Sequence, residues 1–282
     1  MDPTTGSVSA MNGPLADIDD EASLFVADGD VLVPTEIARG PWSPDSLHGG
    51  TVAAVVARSV EHAVGTDDGL EITRLTLELV RPVGNAPIAV TSRLVRPGRK
   101  VQLVDTVVVQ EGREVAWGRS LRIRVDPSLP ETTPSVPEDP VPDGPESGVL
   151  VASTRDVYRA FHTTGMEIRF VSGRFDRLGP AAAWFRLRCP VVAGEEPSPV
   201  QRAAAAADFG NGIAAELPFE SNVFINPDLT VSLHRPPVGE WICVDARTRF
   251  GSPGVGAAES ALWDRQGRIG RAVQQLFVEP GP

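Results

Sequence analysis

The sequence predicts an α+β protein made of one unit used twice, and three observations point there. Residues 75–83 read LTLELVRPV and residues 229–237 read LTVSLHRPP, so Leu75 recurs as Leu229 at an offset of 154 positions. Each of these strands follows a helical stretch and precedes alternating runs joined by tight turns. Between the copies lies DPSLPETTPSVPEDPVPDGPESG, residues 126–148, a stretch with seven prolines. Such a segment buries little apolar area and reads as an extended polar connector that packs little. Self-similarity at a fixed offset is the mark of a duplicated unit.

Along the chain, residues 1–21 lack both a basic start and an apolar block, so they read as a polar mobile arm rather than a secretory signal. The first unit covers 22–125. Its helix is HGGTVAAVVARSVEHAV (48–64), where Val52, Val55, Val56, Val60 and Ala63 recur at three and four and make one apolar face. The strand LTLELVRPV follows, then IAVTSRLVRPG and KVQLVDTVVVQEGREVAWGRSLRIRV, with a glycine-containing hairpin turn at QEGRE (110–114). The second unit covers 149–282. SPVQRAAAAADFGNGIAAEL (198–217) is an alanine-rich helix with Ser198 as its N-cap. LTVSLHRPP, WICVDARTRFG and VGAAESALWDRQGRIGRAVQQLFVE follow, the last turning at RQGRI (265–269). In each unit a single helix covers one face of an antiparallel sheet that can wrap around it.

Composition narrows the function. The 282 residues are 41% hydrophobic and 22% charged, as in ordinary globular chains of two domains. No run of about 18 apolar residues exists to span a membrane. Cys189 and Cys243 are too few for a disulfide framework; they read as small buried hydrophobes in a cytoplasmic protein. No His/Cys/Asp cluster has metal-ligand spacing, so neither a metal nor another cofactor is expected. A net charge of −11 argues against nucleic acid as a partner, and an anionic ligand would need a local cationic patch.

Several motifs together resemble one family. They are the helix opened by HGG, the strand LTLELVRPV, the hairpin VRPGRKVQLVDTVVVQEG, then ADFGNG, INPDLTVSLHRPPVGEW and a last strand carrying VQQ. From about Trp42 to Glu279 the chain is similar to acyl-CoA thioesterases of the TesB-like, double-hotdog type. The resemblance implies two hotdog units in tandem, each an antiparallel sheet wrapped around a central helix, paired through their sheets. It also implies metal-independent hydrolysis of a fatty acyl-CoA to free acid and CoA, and it allows homo-oligomers of such subunits. The family's site resembles a trio: an Asp late on the second helix, a Ser or Thr before the HRP strand, and a Gln on the last strand.

Asp208 matches the first position. An Asp within AAAAADF is costly unless it is paired or used, and ionised it can hold and deprotonate a water. The alternative is a carboxylate that ends the helix by bonding near Asn211 or Gly212. Gln274 interrupts the inward alternation of Ala272, Leu276 and Val278, whereas Gln275 shares the other face with Val273 and Phe277. Gln274 is preferred, with Gln275 as the alternative. The third position falls on Asn226, which can bond a water but presents no hydroxyl; Thr230 lies four residues on, about 13 Å away in extended chain. Asp228 reads as a turn or register residue.

The first unit supplies an internal control, with Glu61, Ile72 and Arg119 near the three matching places. A trio that includes Ile cannot hold the same water, so one working site is expected. His48, Gly49 and Gly50 open the first helix, where free N–H groups can polarise a carbonyl oxygen of the substrate. His48 itself is a poor candidate base, because no adjacent carboxylate orients it. Arg96, Arg99 and Lys100 form the one dense cationic turn and suit the phosphates of CoA; His62, His162 and His234 read as structural. Two further readings remain. An enoyl-CoA hydratase would want an Asp/His pair, yet no His neighbours Asp208 in sequence; an acyl-CoA-binding sensor without catalysis would explain Asn226.

Overall fold

The computed structural model describes residues 15, 17–65, 68–129, 140–150 and 158–281. Most of the N-terminal arm and the middle of the connector lie outside these residues. A small hairpin of β1 (Phe25–Asp28) and β2 (Val31–Pro34) precedes α1 (Gly49–Val64). Then come β3 (Leu70–Leu79), β4 (Ala89–Arg96), β5 (Val101–Gln110) and β6 (Arg113–Arg124). Beyond the connector lie β7 (Val149–Leu150), β8 (Met166–Ser172) and β9 (Ala181–Leu187), then α2 (Pro199–Ala207) and the single turn α3 (Gly210–Ile213). The chain ends with β10 (Asn222–Ile225), β11 (Asp228–Leu233), β12 (Trp241–Ser252), β13 (Val255–Asp264) and β14 (Gly267–Pro280).

One sheet runs through both units in the order β4-β5-β6-β3-β11-β14-β13-β12-β9-β8-β7, with β10 paired to β14. Its middle is the pairing of the two repeated strands with each other. β3 and β11 run antiparallel with Leu77 opposite Leu229, Thr76 opposite Thr230 and Leu75 opposite Val231. The two threonines are the residues related by the repeat offset, and their Oγ1 atoms hydrogen-bond at 3.2 Å. A pseudo-twofold axis therefore passes through this pair. Leu75, Leu77, Leu229 and Val231 all point inward and join one core that includes residues of both helices.

The helices lie antiparallel inside the curve of the sheet. The start of α1 meets the end of α2: a Cβ on Gly50 would sit 2.5 Å from the Ala205 carbonyl oxygen. At the other end Arg58 pairs with Glu195, and Glu61 reaches Ser198 and Gln201. Glycine and alanine at this contact let the backbones come close. Ser198 caps α2 as expected, its Oγ accepting the Gln201 N–H at 3.1 Å. The helix is shorter than its alanine content suggests. It stops at Ala207, and Asp208 occupies the C-cap rather than the helix interior, because the carboxylate takes partners off the helix, described below.

Each unit fastens the loop after its RP motif in the same way. In the second unit, Asp264 is fully buried and accepts from the Val238 N–H at 2.8 Å and the Gln266 N–H at 2.8 Å. The Arg235 guanidinium closes on its Oδ1 at 2.7 Å. Burial alone would raise this carboxyl, but Arg235 and the two backbone donors outweigh it and hold Asp264 below the usual carboxylate range. At the equivalent place in the first unit stands Gln110, whose Oε1 accepts the Gly84 N–H at 2.8 Å while its Nε2 donates to the Gly84 and Ala86 carbonyls.

The described part of the connector does pack, contrary to the reading of its composition. Pro145 is buried, the Trp184 indole donates to the Asp143 carbonyl at 2.6 Å, and Glu146 pairs with Arg265. The outer face of the second unit carries Trp184 and Trp263 beside Cys243, and the segment covers part of it. Cys189 and Cys243 are both buried, and burial pushes the Cys189 thiol up to about 12 and the Cys243 thiol higher still. Among the described residues no helix is long and apolar enough to cross a membrane.

Removing the Asp264 charge should strand Arg235, so Asp264→Asn should cost about 3 kcal/mol at neutral pH in denaturant unfolding. The folded pKa is depressed, so this contribution is complete above the unfolded value of about 4 and is lost as pH falls through the folded value. Wild type and variant should therefore converge in acid. A second test cuts the chain between residues 129 and 140: the fragments should co-elute, because β3 and β11 pair across the units.

Candidate functional site

Where α1 begins and α2 ends, polar side chains from three segments converge on one carboxylate. Asp208 closes α2, its own N–H donating to the Ala206 carbonyl. Its side chain is only 6% exposed. Asp208 Oδ1 accepts from Asn226 Nδ2 at 2.8 Å and from Gln274 Nε2 at 2.9 Å. The same Gln274 amide nitrogen donates to the Asp208 carbonyl at 3.1 Å, while its Oε1 accepts the Asn211 N–H at 3.3 Å. Asp208 Oδ2 stands 3.0 Å from His48 Nδ1. Two amide donors on Oδ1 offset part of the cost of burying this carboxylate.

Each partner is placed by its element. Gln274 lies on the inward face of β14 and is 2% exposed, while Gln275 faces outward, as the alternation predicts. The Gln275 backbone N–H instead donates to Asp228 Oδ1 at 2.6 Å, which gives Asp228 the register role expected of it. Asn226 sits in the short bend between β10 and β11, and its amide reaches the carboxylate from there. Thr230 is occupied at the seam with Thr76.

His48 is the N-cap of α1, and its Nδ1 accepts the Gly50 N–H at 3.0 Å. The ring packs against Phe209 and Phe161, with centroids 4.6 and 5.1 Å away, and Phe209 in turn stacks on Phe185 at 4.6 Å. His48 Nδ1, which already accepts the Gly50 N–H, thus lies directly beside Asp208 Oδ2. The pairing reverses one sequence expectation. A carboxylate does orient His48, and a His does stand beside Asp208; the two meet only because the helices are antiparallel. The signal for it lay in the N-cap positions, since His48 and Ser198 open the two helices and each faces an acid near the end of the other.

Glycine is required here by space. A Cβ on Gly49 would fall 2.7 Å from Asp208 Oδ2 and 3.0 Å from Oδ1; on Gly210 it would fall 2.9 Å from Gln274 Oε1. The Gly49 N–H lies in the first turn of α1, where amides have no intrahelical acceptor.

The pseudo-twofold counterpart is differently built. Glu61 accepts from Ser198 Oγ at 2.6 Å and Gln201 Nε2 at 2.8 Å, so both oxygens serve the cap of α2. Ile72 is buried and apolar, and Arg119 pairs with Asp105 at 2.7 Å on a partly exposed face. An apolar crevice lined by Ile72, Leu75, Val200, Ala204, Val231 and Leu233 lies toward this end, by the first turn of α2. The RPGRK turn is not brought to Asp208 either. The Lys100 carbonyl accepts the Arg124 N–H, and neighbouring Arg122 bonds the carbonyl of Gly65, the C-cap of α1. Arg96, Arg99 and Lys100 thus sit near the far end of a 16-residue helix, about 24 Å in length.

Two family models match, described as the acyl-CoA thioesterase N-terminal domain over residues 38–122 and the acyl-CoA thioesterase C-terminal domain over residues 130–278. Solved structures agree on the fold. A hot-dog-fold protein of unknown function from Alicyclobacillus acidocaldarius superposes with a TM-score of 0.70 at 18% identity, over 93% of this chain and 98% of that one. A candidate thioesterase II from Thermobifida fusca gives 0.67 at 20% identity, over 96% and 99%. A tesB protein from Mycobacterium avium subspecies paratuberculosis gives 0.62 at 16% identity, over 91% and 96%. No match was found among curated protein sequences.

Gly49→Ala should push the Asp208 carboxylate off Asn226 and Gln274. The overpacking should cost about 1–3 kcal/mol and be read as a drop in the unfolding midpoint, while Gly251→Ala, which meets no atom within 4 Å and has no left-handed backbone, should leave the midpoint nearly in place.

Proposed function

Starting from the fact that the chain belongs to the acyl-CoA thioesterase family, with the double-hotdog fold that goes with it, we propose that Asp208 activates the water that hydrolyses a fatty acyl-CoA. The observation that carries this reading is a nearly buried carboxylate held by two amides and a histidine at the junction of the two units. Asn226 and Gln274 fix Asp208 Oδ1 and leave Oδ2, beside His48, as the basic edge. A water bonded there gives its proton to the carboxylate as its oxygen attacks the thioester carbon. The Gly49 N–H, at the positive end of α1, is suited to the oxyanion that forms. The intermediate then expels CoA thiolate, a modest leaving group by its thiol acidity, and the proton held by Asp208 returns to sulfur. Water and thioester become acid and thiol, with nothing left over.

Asn226 supplies a donor to Asp208, so the missing hydroxyl does not by itself argue for a non-catalytic sensor. The His48–Asp208 contact does favour a second reading, hydration of a 2-enoyl-CoA, which needs an acid and a base side by side. Offering the enzyme saturated acyl-CoA and 2-enoyl-CoA separates the two. Free thiol released from the saturated substrate supports hydrolysis, whereas loss of the enoyl absorbance without thiol supports hydration.

Asp208→Asn should keep the fold and lower thiol release by two to four orders of magnitude, the usual contribution of a positioned base. Glu61→Gln should lower it far less, because Glu61 caps a helix. Equal losses would mean two working sites and would contradict the assignment.

A further inference from the structure

The two units diverge at one ion pair, and the divergence leaves a cation beside the candidate site. Arg235 and Asp264 correspond, at the repeat offset of 154, to Arg81 and Gln110. The backbone clamp is the same in both: Val238 N–H to Asp264 Oδ2 at 2.8 Å, and Gly84 N–H to Gln110 Oε1 at 2.8 Å. Asp264 also carries the charge that holds Arg235. Gln110 carries none and directs its amide hydrogens to the Gly84 and Ala86 carbonyls. Among the described residues the exposed Arg81 side chain therefore has no hydrogen-bond or ion-pair partner, whereas its twin is locked.

Its position makes the release consequential. Arg81 lies midway between two backbone contacts, Leu79 N–H to the Pro227 carbonyl at 2.7 Å and Leu47 N–H to the Val83 carbonyl at 2.8 Å. Pro227 follows Asn226, and Leu47 precedes His48. The residue thus stands on a short bridge whose two ends touch the segments that carry Asn226 and His48, two of the three polar neighbours of Asp208. In a chain of net charge −11, an unpaired guanidinium at that place is a local anion site, and its fork suits a phosphate.

We propose that Arg81 recognises a phosphate on the carrier arm of the thioester ligand, at the mouth of the Asp208 site. The proposal rests on the thioesterase reading for the identity of the ligand. Its test is a binding measurement, so that the two can fail separately. CoA, 4′-phosphopantetheine and pantetheine are titrated by calorimetry into the full-length wild type and into Arg81→Gln and Arg81→Lys.

The Kd for CoA should rise about tenfold in Arg81→Gln, the low end for a charged hydrogen bond, and Arg81→Lys should recover part of it. Pantetheine, which lacks phosphate, should bind all three proteins alike. An equal loss with phosphopantetheine assigns the contact to the 4′-phosphate; a loss with CoA alone assigns it to the nucleotide phosphates. Arg81→Gln should leave the unfolding midpoint in place, whereas Arg235→Gln should lower it. Unchanged CoA affinity in Arg81→Gln, or an equal loss for pantetheine, would overturn the proposal. So would a loss found only on replacing Arg99 and Lys100 by Gln, which would put the grip at the far hairpin. Tight CoA binding through Arg81 without thioester turnover would instead overturn the hydrolase reading and leave the anion site standing.

Discussion

The antiparallel pairing of β3 with β11 is the constraint on which the rest of the molecule depends. The two copies of one strand face each other with Thr76 opposite Thr230, and this register fixes a twofold relation between the units. A slip of one residue would turn the inward apolar residues of one strand out to solvent, so burial of one face of the seam holds the register. Once the strands are antiparallel, the helices that precede them are antiparallel too. The start of α1 then has to meet the end of α2, and the end of α1 the start of α2. Both junctions bring a cap residue against an acid.

The two junctions differ in how the acid is used. Glu61 spends its oxygens on Ser198 and Gln201 and so stabilises the first turn of α2. Asp208 caps nothing with its side chain. It is held by side chains from β14, from the bend before β11 and from the cap of α1, and Gly49 keeps the space beside it clear. A buried carboxylate surrounded by amides and an imidazole has no fixed cation to neutralise it, where one locked to arginine, as Asp264 is, is committed to structure. The same contrast recurs in the RP loops, where replacement of an acid by Gln110 changes a structural arginine into an available one.

Much of this was legible in the sequence. The repeat, the order of elements, the Ser198 cap and the choice of Gln274 over Gln275 follow from periodicity, since each is a local property of strands and helix starts. Asp208 stood out because an acid in an alanine run demands partners. What the sequence concealed is tertiary. Residues 48 and 208 are distant in the chain, and their meeting depends on helix direction, which the strand pairing sets. The RPGRK turn drew attention by charge density alone, while counting strands back from the seam places it near the end of α1 away from Asp208. The end of α2 at Ala207 was also hidden, because alanine continues a helix unless side-chain partners elsewhere pull the next residue out.

The central claim is that two similar units make one working site rather than two. A titration with an acyl-CoA analogue whose thioester is replaced by a thioether measures this directly, because it reports binding without turnover. The account predicts one site per chain, and its loss on combined replacement of His48 and Asn226 by Ala. Two equivalent sites per chain, or one site that survives that replacement, would contradict it.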